Sequence, residues 1–169
     1  MEEQFELVSE RLILRPHEDL DAPFMVSLNE DPEVTRYTSD GPFEGLDPAL
    51  ALIRELRRQF RERRMGRFIV LHRATREQLG WCGLKPVEAD PRAADLGFRF
   101  QRRWWGQGFA TEAARACVRY GFEELRLRTL TAEVEEGNQR SINVLEKLGF
   151  RPGGKVEGKT GSWVLGAGE

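Results

Sequence analysis

Apolar positions along the chain switch repeatedly between strand-like and helix-like spacing. Leu12-Ile13-Leu14 is a short apolar run closed by Arg15-Pro16, which predicts a first strand. From Asp21 to about Leu28, Phe24, Met25 and Leu28 share one helical face, and Pro23 is tolerated because it falls in the first turn. Asp31-Pro32-Glu33 marks a turn or a helix restart. A clearer helix follows. Asp47 offers an N-cap, Pro48 a first helical position, and Leu50, Ile53, Leu56 and Phe60 recur at helical spacing until Gly66. The runs 68–71 and 79–84, joined by the polar Ala74-Thr75-Arg76-Glu77, predict an antiparallel hairpin. In the stretch 94–100, Leu96, Phe98 and Phe100 alternate with Asp95, Gly97 and Arg99, as in a strand.

The second half repeats a strand–helix order. A helix over 109–124 carries the stripe Ala110, Ala113, Ala114, Cys117, Val118 and Phe122. A strand is predicted over 129–134, and a helix over 140–148 stopped by Gly149, a residue suited to the position after a helix. Extended segments from Phe150 and over 162–165 close the pattern. Hairpins first and alternating elements afterwards imply an α/β mixed sheet.

Composition narrows the classes. The 169 residues are 40% hydrophobic and 32% charged, which suits one globular domain over residues 1–169. The apolar runs fall far short of the ~20 residues of a membrane span. Glu2 and Glu3 replace the basic, then apolar, start of a signal peptide, so a cytoplasmic location is expected. The net charge of −2 argues against DNA and other bulk nucleic acid as a partner. Of 26 basic residues 22 are arginine; the cluster between Arg57 and Arg67 reads as a solvated helix face, with an acidic substrate or a phosphate as the alternative. Cys82 and Cys117 form no CxxC pattern and His17 and His72 have no companions, so no metal site is expected.

Two segments carry chemistry. Arg103-Trp104-Trp105-Gly106-Gln107-Gly108 lies between a strand and the helix starting Phe109-Ala110-Thr111. Glycines there let backbone approach a ligand, and the unpaired N–H groups of the first turn suit a diphosphate. The G-x-G-x-x-G fingerprint is absent, as Thr111 holds the third position, and no Gly-Lys-Ser/Thr follows. A tight turn before an ordinary helix is the alternative. The second segment is Asn138-Gln139-Arg140-Ser141, where Asn138 also suits a helix cap.

Together these resemble the GNAT superfamily of acyl-CoA-dependent N-acyltransferases. Its coenzyme A motif, Q/R-x-x-G-x-G/A, is matched by Arg103, Gly106 and Gly108. The string from Trp105 to Ala113, Glu10-Arg11-Leu12-Ile13-Leu14-Arg15-Pro16, and Asn138-x-x-Ser141 with Lys147-Leu148-Gly149-Phe150 are similar to the RimJ/RimL-like branch that acetylates ribosomal-protein N-termini. The resemblance implies a strongly twisted mixed sheet of about seven strands with about four helices, and a splay between the parallel strands ending at Phe100 and spanning 129–134. It implies acetyl-CoA as co-substrate, its pantetheine arm along Phe98, Arg99 and Phe100. The diphosphate would lie on the backbone of Arg103, Trp105, Gly106, Gln107, Gly108, Phe109, Ala110 and Thr111. Replacing Gly108 by Trp is then expected to abolish coenzyme binding with the fold intact.

The implied reaction is direct attack of an amine on the thioester, the amine coming from a protein N-terminus or, as the alternative, from a polyamine, aminoglycoside or amino acid. Many relatives place a Tyr proton donor two residues before the Lys of Lys147-Leu148-Gly149-Phe150; here that residue is Leu145. Ser141 is the substitute, Asn138 orients the pantetheine arm or a water, and Asp95 is the candidate base, with Glu135 and Glu136 as alternatives. One of Trp104 and Trp105 is expected in the core and the other on the rim. A homodimer is what relatives often form. A coenzyme-binding regulatory module without turnover is the second class of reading.

Overall fold

The computed structural model describes residues 4–38, 40–155 and 160–168. Its described strands form one eight-stranded sheet in the order β1-β2-β3-β4-β5-β6-β8-β7. The strands are β1 (Leu7–Val8), β2 (Leu12–Pro16), β3 (Arg67–His72), β4 (Gln78–Pro86), β5 (Ala93–Phe100), β6 (Thr129–Glu135), β7 (Arg151–Lys155) and β8 (Thr160–Gly166). The α-helices are α1 (Ala22–Glu30), α2 (Pro32–Thr35), α3 (Leu46–Arg63), α4 (Phe109–Arg119) and α5 (Gln139–Lys147). Every neighbouring pair is antiparallel except β5 with β6, which run parallel.

Alternation along the strands divides the sheet into two faces. Leu12, Leu14, Phe68, Val70, Cys82, Leu84, Leu96 and Phe100 join α4 residues Ala113, Ala114 and Cys117 in the main core. Cys82 and Cys117 are buried free thiols within it. Ile13, Ile69 and Leu71 point the other way, against Phe24 of α1. Helix α3 packs on α1 through Ala22, Met25, Ala49 and Ile53.

Several boundaries differ from the sequence reading. Strand β1 joins the sheet through Leu7 and Val8 alone and brings the described strands to eight, against about seven expected. Helix α3 is capped at Gly45, which puts Asp47 and Pro48 inside its first turn, and it ends at Arg64 in the left-handed conformation (φ 57°) rather than at Gly66. The helix expected over 109–124 is α-helical to Arg119 and then loosens into a π turn over Tyr120–Glu124.

Under β2 and α1 lies a buried polar cluster. Asp21 is fully buried and accepts hydrogen bonds from Arg15 (2.8 and 3.0 Å), Gln78 (2.8 Å) and the Glu18 N–H (2.8 Å). His17, equally buried, donates from Nδ1 to the Arg67 carbonyl at 2.9 Å. Burial pushes the His17 pKa down to about 4. The folded pKa lies below the unfolded one, so this residue's contribution falls as pH drops from ~6.5 towards 4, by about 3 kcal/mol. Urea unfolding at pH 7 and pH 4 checks this: wild type is expected to lose about that much more stability than His17→Gln.

Candidate active site

The parallel pairing of β5 and β6 stops after three rungs, Ala93 with Thr129, Ala94 with Leu130 and Asp95 with Thr131. Beyond Asp95 each strand follows its own half of the sheet. β5 stays paired to β4 as far as Phe100, and β6 to β8 as far as Glu135. The result is a V-shaped gap with Asp95 at its apex. The Gln101 N–H donates to the Leu79 carbonyl at 2.9 Å, which sets the alternation along β5. Gly97 and Arg99 therefore turn their main-chain groups to β4, while Leu96, Phe98 and Phe100 turn theirs into the gap. The Phe100 carbonyl accepts from the Trp105 indole N–H at 2.9 Å. The Phe98 N–H and carbonyl face the open part of the V.

The segment after β5 delivers main-chain donors beside this gap. Gly106 (φ 76°) and Gly108 (φ 82°) both adopt the left-handed conformation that favours glycine. Gly108 is the N-cap of α4, and its carbonyl accepts the first helical bond from Glu112 N–H at 3.0 Å. The N–H groups of Phe109, Ala110 and Thr111 have no helical acceptor and, with the helix dipole, favour an anion. Gln107 folds back through its side-chain amide to the Arg103 carbonyl (3.0 Å). The Arg103 guanidinium turns away to Glu77 (2.8 Å), so that residue offers the gap only its main chain.

This loop is clamped from a distant part of the sequence. Glu112 accepts from the Ser9 hydroxyl (2.5 Å), the Arg11 N–H (2.9 Å) and the Arg11 Nε (2.7 Å). Burial alone would raise the Glu112 pKa, but these donors hold it below the usual carboxylate range. Arg11 Nη1 also donates to the Gln107 carbonyl at 3.0 Å, and its guanidinium lies 4.2 Å over the Phe109 ring. Sequence reading placed Arg11 only within a motif string. Its partners lie about a hundred residues away, and no local spacing reveals them.

On the far side of the gap, Asn138 caps α5, its side chain accepting from the Ser141 N–H at 3.4 Å. The Asn138 Oδ1 is thereby engaged, and among the described residues no group accepts from its side-chain amide N–H groups. Ser141 is half-buried in the first turn of α5. Leu145, one turn later, is fully buried and fills core space. Arg140 lies 4.2 Å over the Trp105 ring, so α5 and the end of β5 meet through that indole across the wide end of the V. Trp104 stacks edge-on against Phe109 at 5.8 Å; both tryptophans pack against the main core, and the expected division into core and rim is not found.

The opposite face of the sheet is polar near the apex. Asp95 accepts from the Thr131 hydroxyl at 2.9 Å. Burial raises its pKa and the Glu133 charge adds to that, against Thr131, Arg67 and Lys85, which lower it. The Arg99 side chain lies on this same face, binding Asp40 (2.9 and 3.1 Å) and Asn29 (2.9 Å). Trp81 lies against Gly97, with the Arg67 guanidinium 4.4 Å and the Arg99 guanidinium 5.4 Å from its ring centre. Sequence reading missed this aromatic–cation layer, although Trp81, Gly97 and Arg99 all belong to one face by strand alternation. Among the described residues, no group of three His, Cys, Asp or Glu side chains could hold a metal ion.

The acetyltransferase (GNAT) domain family matches residues 11–151. A Bacillus licheniformis protein named uncharacterized N-acetyltransferase p20 is 35% identical over 148 residues, 88% of this chain and 83% of that one. Spermidine N(1)-acetyltransferase of Escherichia coli K12 is 29% identical over 143 residues, 85% and 74% of the two chains. The solved structure of RimL, a ribosomal L7/L12 alpha-N-protein acetyltransferase in complex with coenzyme A, superposes with a TM-score of 0.82 at 16% identity, over 96% of this chain and 98% of that one.

Proposed function

Because the chain belongs to the GNAT acetyltransferase family, we propose that it moves the acetyl group of acetyl-CoA to an α-amine by direct attack in a ternary complex. The observation that carries this reading is the V between β5 and β6, with main-chain donors on one side and Asp95 at its apex on the other. In it, the coenzyme's diphosphate lies on the N–H groups between Gly106 and Thr111, and its pantetheine arm runs beside Phe98 and Phe100. Of the three β5 residues considered from sequence, Arg99 drops out, because its main chain faces β4 and its side chain faces Asp40.

Acetyl-CoA supplies an acyl carbon bearing a thiolate leaving group. The chain's own groups do the rest. Asp95 takes the proton of the ammonium, directly or through a water; an α-ammonium, with pKa near ~8, gives it up more readily than an alkylammonium near ~10. The amine nitrogen then bonds to the acyl carbon, the carbon–sulfur bond breaks, and the second nitrogen proton passes to the departing thiolate, which leaves as the free thiol. The Phe98 N–H faces the charge that grows on the acyl oxygen. The Ser141 hydroxyl hydrogen-bonds the departing sulfur. We assign the acceptor to the class of protein N-terminal amines, as the RimJ/RimL-like strings suggest. Polyamines form the competing class, which the likeness to a spermidine acetyltransferase keeps in play.

Free-thiol release with acetyl-CoA tests this against N-terminal peptides, amino acids and spermidine. Turnover of α-amines is the expected result, and turnover of spermidine alone reverses the assignment. The buried Leu145 favours one other reading, a coenzyme-binding module, because no Tyr donor stands there. Coenzyme A binding in calorimetry with no turnover on any amine would establish that reading instead.

Ser141→Ala is expected to lower kcat about tenfold, the worth of one hydrogen bond of ~1.4 kcal/mol to the sulfur, with little change in KM for acetyl-CoA. Adding Leu145→Tyr to that variant is expected to cost about 1–3 kcal/mol of stability by overpacking, without restoring the rate. Steady-state kinetics and urea unfolding check both.

A further inference from the structure

On the face that carries Asp95, one guanidinium has no carboxylate within salt-bridge distance among the described residues. Arg99 is neutralised by Asp40. Lys85 stands directly beside Asp95 in the β4–β5 register. Arg67, on β3, has no carboxylate paired with it among the described residues; its guanidinium is partly buried and rests on the Trp81 ring at 4.4 Å. Across the sheet from Arg67 come Gly83 and then Gly97. Neither carries a side chain, so Trp81 lies down on Gly97 and the layer between Arg67 and the apex stays low. β3 and β5 are two strand spacings apart, roughly 10 Å between main chains, and the arginine stem covers much of that. Its charge is felt at Asp95.

Burial penalises the Arg67 charge, no hydrogen bond to a described residue uses its guanidinium donors, and a planar carboxylate would fill them two at a time. The stacked Trp81 ring holds the fork in orientation without using any of those donors. We infer that the acceptor carries a carboxylate close to its reacting amine, and that Arg67 binds that carboxylate while Asp95 receives the ammonium proton. This rests on the acetyltransfer reading and on taking the Asp95 face as the acceptor side. The carboxylate has two sources: the α-carboxylate of a free amino acid, or the side chain of an acidic first residue in a peptide. A polyamine offers only cations to Arg67 and Arg99 and is disfavoured.

The test is free-thiol release by the full chain with matched acceptors. Methionine and phenylalanine are compared with 3-methylthiopropylamine and phenethylamine, their decarboxylated forms. Peptides beginning Glu-Ala are compared with peptides beginning Ala-Ala, and spermidine is included. A carboxylate is expected to raise kcat/KM at least 100-fold within one of these sets, and the responding set identifies the source. Arg67→Met is expected to erase that preference through acceptor KM, with coenzyme A affinity unchanged in calorimetry. Arg67→Lys, which keeps the charge and loses the fork, is expected to fall between. Equal use of carboxylate-bearing and carboxylate-free amines, or an undiminished preference in either variant, would overturn the inference and leave acetyltransfer standing. No turnover of any amine would overturn both.

Discussion

Asp95→Asn is expected to lower kcat by about 100-fold or more, the usual contribution of a positioned general base. The substitution is nearly isosteric, and the amide oxygen can still accept from the Thr131 hydroxyl. Coenzyme A affinity should therefore hold while turnover collapses. The pH dependence separates a base from a merely structural residue. Burial, with the Glu133 charge, raises the Asp95 pKa, so wild-type kcat/KM should fall on the acid side as Asp95 protonates, and that limb should be missing in the variant. Stability should move the opposite way. The folded pKa lies above the unfolded one, so the fold binds this proton more tightly than the unfolded chain does. The associated stability is full below the unfolded pKa and is lost as pH rises through the folded pKa. Asp95→Asn should therefore gain stability on wild type at pH 7 and show no gain at pH 3. Kinetics across pH and urea unfolding at the two pH values measure both halves. Full activity in the variant would transfer the base role to Glu135 or Glu136.

Gly108→Trp is expected to weaken coenzyme A binding at least 100-fold, a loss of ~2.7 kcal/mol or more, by filling the approach to the α4 N-terminus. The structure amends one part of the sequence expectation. With φ at 82°, a non-glycine residue costs about 1–2 kcal/mol, and a Cβ there would stand 3.3 Å from Arg11 Nη2, pressing on the clamp that holds the loop. The variant should fold, because such a cost is a fraction of ordinary domain stability, but it should melt several degrees lower. Gly106→Ala is the control. A Cβ at Gly106 meets nothing within 4 Å, so only the backbone cost applies. Calorimetry and thermal unfolding of the two variants distinguish a blocked site from a collapsed one; unchanged affinity in Gly108→Trp would remove the diphosphate from this loop.

Where a segment's own spacing decides its structure, the sequence was readable. The β3–β4 hairpin, the alternation of β5, the apolar stripe of α4 and the stop at Gly149 were all found in place. Two residues carry no period, so β1 was invisible before its pairing with Ile13 and Leu14 was seen. The start of α3 was misplaced because Asp-Pro imitates a cap, yet proline is equally tolerated deeper in a first turn, where the N–H has no helical partner. Its end was misplaced because Arg64 accepts the left-handed conformation usually left to glycine. At the candidate site, the residues in contiguous motifs were nominated from sequence. The Ser9–Arg11–Glu112 clamp and the Arg99–Asp40 pair were not, since each joins residues 59 or more positions apart. Arg99 shows the limit most plainly: its neighbours Phe98 and Phe100 open to the gap, and strand alternation turns Arg99 away from it.

The early end of the β5–β6 pairing also has a bearing on solubility. A sheet normally exposes unpaired main-chain groups only at its two outer strands, and proteins guard those against pairing with other chains. Here a second pair of raw edges lies in the middle of the sheet, beyond Asp95 on β5 and beyond Thr131 on β6. Part of that interior edge is already capped from within, since the Trp105 indole takes the Phe100 carbonyl and Arg140 braces the indole from α5. An occupant lying along Phe98 would seal the rest, and at a hundred times its dissociation constant it would add ~2.7 kcal/mol to the folded state. The unliganded chain is thus the form most exposed to strand-by-strand association with its own copies.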